Sequence, residues 1–95
     1  MNRGTAPGMT PDLRRIIDGV LADLPDVEWQ QLWVSHPADD DGLWFFWRRA
    51  RRDERVQIES SSGFCPFLIE TDRDDERRWG QTPDEVASTI VALLT

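Results

Sequence analysis

Cys65, His36, the serine run Ser60-Ser61-Ser62 and the carboxylates Glu59 and Glu70 are the residues whose types could make or break bonds. A thiol nucleophile needs a base that lowers its pKa. The chain offers one cysteine and one histidine, far apart in sequence, and Pro66 follows the cysteine. Cysteine is also among the residues most often buried in strands, so Cys65 reads as a structural thiol. The serines lack a G-x-S-x-G frame and have a single histidine to draw on. Glu59 and Glu70 could pair as acid and base, but that chemistry needs a substrate cleft seldom found in a small two-layer domain. The expectation is a chain with no catalytic residue; a small enzyme using Cys65, His36 or Glu59 is the lesser alternative.

Metal and phosphate chemistry fare no better. Asp39-Asp40-Asp41-Gly42 suggests calcium, yet an EF-hand loop needs glycine at its sixth position and glutamate at its twelfth. Counted from Asp39, those positions hold Trp44 and Ala50. The acidic run Thr71 to Glu76 is interleaved with Arg73 and reads as a solvated loop. There is no phosphate-binding loop and no Cys/His spacing for zinc, so neither a metal nor a cofactor is expected. All basic residues are arginine, which excludes Schiff-base chemistry on lysine.

Eighteen acidic residues against eleven arginines give a net charge of −7. Such a field disfavours nucleic acid and anionic lipid and suits a basic protein partner. The exception is Arg48-Arg49-Ala50-Arg51-Arg52 with Arg55, which reads as a hairpin end balanced by acidic surroundings. No apolar run approaches the roughly 20 residues of a membrane helix. The start, MNRGTAPGMT, has no apolar core of a signal peptide. A single cysteine forms no internal disulfide, and a reducing cytoplasm is the expected compartment.

The elements that must position these residues follow from pattern. Residues 1–9 are rich in glycine and small residues and read as a tail; residues 10–95 read as one domain. Thr10-Pro11-Asp12 starts a helix whose stripe is Leu13, Ile16, Ile17, Val20, Leu21 and Leu24, ended by Pro25. Gly19 lies off that stripe. Strands are expected at 27–35, 43–48, 56–60 and 64–70, with Asp41-Gly42 as the tight point of the first turn and 49–55 as a charged connection. Pro66 implies that the fourth strand is an edge or is bulged. Thr82 and Glu85 make a capping box for a last helix from Pro83 to about Leu94. The order is α-β-β-β-β-α. The fold class is therefore α+β, two layers, an antiparallel meander with both helices on one face.

Strand 43–48 is apolar on both faces, with Leu43, Phe45 and Trp47 on one and Trp44 and Phe46 on the other. That marks a central strand, or one whose second face binds something. Five tryptophans in 95 residues strengthen the second option, because aromatics anchor protein interfaces. Trp44 and Phe46 are the expected anchors, and Asp39, Asp40 and Asp41 the charges that steer a basic partner.

From about Trp29 to Leu94, roughly two-thirds of its length, the chain resembles a loose group of small bacterial proteins. The resemblance rests on Ile58-Glu59-Ser60-Ser61, on Cys65-Pro66-Phe67-Leu68-Ile69-Glu70 and on the capped helix from Thr82 to Leu94. Those proteins look like immunity-type partners of bacterial toxin systems. The resemblance implies a non-catalytic, protein-binding domain that blocks a cognate toxin, with Glu59, Ser60 and Glu70 as further contact candidates. The alternative is a homodimeric structural subunit whose open sheet face is buried on its copy.

Overall fold

Local chemistry sets the two helices. The structure is a computed structural model that describes residues 9–35 and 40–95, with the backbone alone for 33–35, 40 and 41. Helix α1, Pro11–Asp23, begins where the Thr10 hydroxyl accepts the Leu13 N–H at 3.0 Å, and buries Leu13, Ile16, Ile17 and Val20. Helix α2, Pro83–Leu94, begins at Thr82, whose hydroxyl accepts the Glu85 N–H at 3.1 Å. The Glu85 carboxylate reaches back one residue beyond the cap, to the Gln81 N–H. Val86, Ala87, Ile90 and Leu94 form the buried stripe of α2.

Between the helices lie β1 (Val27–Ser35), β2 (Asp40–Arg48), β3 (Arg51–Ser60), β4 (Phe67–Thr71) and β5 (Arg78–Gly80). They form one antiparallel sheet in the order β1-β2-β3-β4-β5. The fold is α+β. Helix α2 lies against β2 to β5, and α1 packs on α2. One cluster joins their stripes to Val27, Trp44, Phe46, Val56, Ile58, Phe67 and Ile69, all on a single sheet face.

Four boundaries differ from the sequence pattern. A fifth strand exists: Arg78, Trp79 and Gly80 pair with Ile69, Leu68 and Phe67. Three residues carry too little alternation to announce themselves. Gly80 lets β5 cross the start of α2, since a Cβ there would collide with Val86 Cγ2. As a result β4 is interior. Pro66 sits before it, after a cis peptide bond, and neither bulges the strand nor makes it an edge.

Asp40, Asp41 and Gly42 belong to β2, where Asp41 pairs with Val34 and Gly42 with Trp33, so Asp41-Gly42 is not the turn. Likewise β3 starts at Arg51, and the connection shrinks to Arg49-Ala50; a register shift opposite Trp47 absorbs the extra residues of β3. Gly19 is not idle either. A Cβ on it would lie 3.0 Å from Ala87 Cβ, so it is where α1 and α2 approach.

Candidate functional site: the open face of the sheet

Strand alternation sends every second residue to the face away from the helices. Register then aligns these residues into rows across the sheet. One row runs Leu32, Leu43, Glu59, Leu68, Trp79 and crosses all five strands. The next is Gln30, Phe45, Gln57, Glu70. No described helix lies over this face. Leu32 is 48% and Trp79 56% exposed, with Phe64 beside the row at 46%. Phe64, Pro66, Leu68, Trp79 and Glu59 line a groove of about 360 Å³ at the β3–β5 end.

Glu59 is half-buried between Leu43 and Leu68 in this apolar row. None of the salt bridges among the described residues involves it. Glu70 stands on the same face with Arg77 3.4 Å away. A single carboxylate flanked by leucines and two exposed aromatics can receive an apolar surface that brings its own cation.

The opposite end of the face is already occupied by the chain's own arginines. Arg55 stacks its guanidinium 5.3 Å from the Trp47 ring centroid and 6.0 Å from that of Phe45. The Trp47 indole donates to Glu28 at 3.0 Å, and Arg49 and Arg52 approach the same carboxylate at 3.4 and 3.7 Å. Arg48 clamps Asp26 at 2.9 Å, and its hydrogen bond holds the Asp26 carboxyl below the usual range. Arg48, Arg51 and Arg73 also donate to the Leu93 and Leu94 carbonyls, at the negative end of the α2 dipole. Each arginine from 48 to 55 thus has a local partner.

The expected anchors Trp44 and Phe46 are corrected by this geometry. Both are 0% exposed and point into the core, where Trp44 meets the Phe67 ring edge-on at 5.8 Å. The phase of β2 decides it: the half-buried residues of the open face are Leu43, Phe45 and Trp47. The Trp44 indole N–H has no hydrogen-bond partner among the described residues. Ser60 is also corrected. At 8% exposure its hydroxyl donates to the Phe64 carbonyl at 2.8 Å and accepts the Gly63 N–H at 3.1 Å, which holds the loop rather than a partner. Asp40 and Asp41 are placed at the start of β2; Asp39 and His36 lie outside the described residues.

Leu32, Leu43, Phe64, Leu68 and Trp79 were missed as contact candidates. Leu43 and Leu68 carry a readable signal, since each stands out of phase with buried neighbours in its strand. Trp79 carries none without the fifth strand. Cys65 is half-buried, and its N–H donates to the Asp12 carboxylate at 2.9 Å. Burial first, and the nearby Asp12 charge second, push its thiol up to about 11, so it stays protonated at neutral pH. Among the described residues no group of three His, Cys, Asp or Glu side chains converges as metal ligands would. No described helix is long and apolar enough to cross a membrane.

Comparison with known proteins adds no relative: no family model, no curated protein and no solved structure matches the chain.

Proposed function

We propose that this chain is a non-catalytic protein-binding domain that docks the open face of its sheet onto a basic partner. The observation that carries the reading is the row Leu32–Leu43–Glu59–Leu68–Trp79, which no described helix covers and whose Glu59 carboxylate has no ion-pair partner among the described residues. The exposed aromatics anchor the contact and Glu59 receives a cation. The net charge of −7 raises the encounter rate with a positively charged surface. An immunity-type protein that occludes a cognate bacterial toxin is the form of this function to which the E-S-S and C-P-F-x-I-E segments are similar. In that form the partner is the toxin and the site is cytoplasmic.

The test uses the tagged chain as bait in source-cell lysate, compared with Glu59→Arg, Trp79→Ala and the control Asp18→Arg on the exposed side of α1. The expected result is one near-stoichiometric basic protein, retained by the wild type and the control and lost by both open-face variants. Retention by all four baits, or recovery of nothing but the bait, overturns the assignment.

A further inference from the structure

Strand β1 is a nine-residue sheet edge that, among the described residues, carries none of the features that normally prevent edge pairing. Natural edges are blunted by proline, lysine, bulges or a covering element. Val27–Ser35 holds no proline and one charge, Glu28, in a chain that is 31% charged. Its register with β2 is unbroken from Val27↔Arg48 to Ser35↔Asp40, so no bulge turns the edge aside. Val27 and Trp29 pack on the core, and β2 is the only strand partner of β1 among the described residues.

Hydrogen-bond phase shows which backbone groups point outward. The Arg49 N–H donates to the Asp26 carbonyl at 3.2 Å. In an unbroken antiparallel register the bonded pairs then continue at Glu28–Trp47, Gln30–Phe45 and Leu32–Leu43. Odd-numbered residues turn their N–H and C=O groups away from β2. The Val27 N–H is taken by the Leu24 carbonyl at 3.1 Å. Trp29, Gln31 and Trp33 remain with outward groups that no hydrogen bond of the described residues engages.

We propose that β1 pairs with β1 of a second copy of this chain, antiparallel about a twofold axis at Gln31, so that two sheets become one. The occupant is identified by self-complementarity. An isologous contact requires each residue to suit its symmetry mate. The segment Trp29-Gln30-Gln31-Leu32-Trp33 places Gln31 opposite Gln31 and Trp29 opposite Trp33, and aromatic cross-strand pairs are favourable. The outward residues are in bonding phase with each other, giving about six backbone hydrogen bonds at two per pair. Glu28 falls opposite Val34 of the second copy, so no like charges meet. Net charge of −7 on each chain opposes association at long range, and salt relieves it. Of the open-face row only Leu32 lies on β1; Glu59, Leu68 and Trp79 stand on β3, β4 and β5, away from this contact.

Sedimentation and light scattering of the full chain from about 1 μM to about 1 mM test the proposal. The expected result is a monomer–dimer equilibrium that tightens between about 50 mM and about 500 mM salt. Gln31→Pro removes an outward N–H that β2 does not use, and Gln31→Lys sets like charges on the twofold axis. Each is expected to weaken the dimer at least about tenfold while the monomer melts cooperatively. Gln31→Cys in a Cys65→Ser background is expected to form a covalent dimer under mild oxidation, because opposed Cα atoms lie about 5.5 Å apart. A monomer at every concentration and salt overturns the proposal. So does a dimer that Gln31→Lys leaves unchanged and that does not cross-link through position 31, and this pair decides the matter even if the proline variant unfolds.

Discussion

The Thr10 hydroxyl donates to the Gly63 carbonyl at 2.5 Å while accepting the Leu13 N–H at 3.0 Å. One side chain therefore caps α1 and pins the β3–β4 loop to it. Gly63 has φ of +80°, and a Cβ there would lie 2.9 Å from Thr10 Cγ2. Gly63→Ala is expected to destabilise by about 1–3 kcal/mol in urea denaturation, from left-handed backbone strain and the methyl clash together. Thr10→Ser keeps the cap and removes Cγ2. It should recover part of that loss in the Gly63→Ala background, and equal stability of the single and double variants would show that the clash contributes nothing.

Gly19 and Ala87 face each other where the helices approach, with a Gly19 Cβ 3.0 Å from Ala87 Cβ. Alanine at 19 gains about 1 kcal/mol of helix propensity but presses one backbone-fixed carbon against another. Net destabilisation is expected for Gly19→Ala, and adding Ala87→Gly should cost less than it does in the wild type. A double-mutant cycle with no coupling would refute the close approach.

Cys65 offers an unusually clean pH experiment because the chain has no lysine and no tyrosine. Its thiol is raised from 9.0 to about 11 in the fold. The folded state thus holds the proton more tightly than the unfolded state, so this contribution is complete below pH 9 and is lost as pH rises through about 11. Denaturation midpoints should fall across that window, and Cys65→Ser should flatten the slope. Thiol labelling of the native protein should stay slow at neutral pH and accelerate over the same range.

Trp44 and Trp79 separate core from surface within one residue type. Trp44 is fully buried and Trp79 is 56% exposed. Trp44→Ala is expected to cost about 3–5 kcal/mol of stability, and Trp79→Ala less than about 1 kcal/mol. Chemical denaturation reads both; comparable losses would contradict the placement of β5 and the open face.

Features that depend on neighbours along the chain were legible from residue order alone. Thr10-Pro11-Asp12 and Thr82-Pro83 start helices because caps and fixed proline dihedrals act within one turn, and Pro83–Leu94 is the helix observed. Val27–Ser35 likewise forms over the span that its composition indicates. Which face of β2 is core was set by packing between distant elements. Strand 43–48 is apolar on both sides, so alternation cannot choose, and the helices' position assigned Trp44 and Phe46 to the interior. Register also lay beyond local pattern: it made β5 a strand, carried β4 inward, and set Glu59 between Leu43 and Leu68. Ser60 looked like a polar surface residue until the loop closed over it. Caps and periodicity are short-range and written in order, whereas faces and rows arise from pairing between distant segments, which only the folded packing selects.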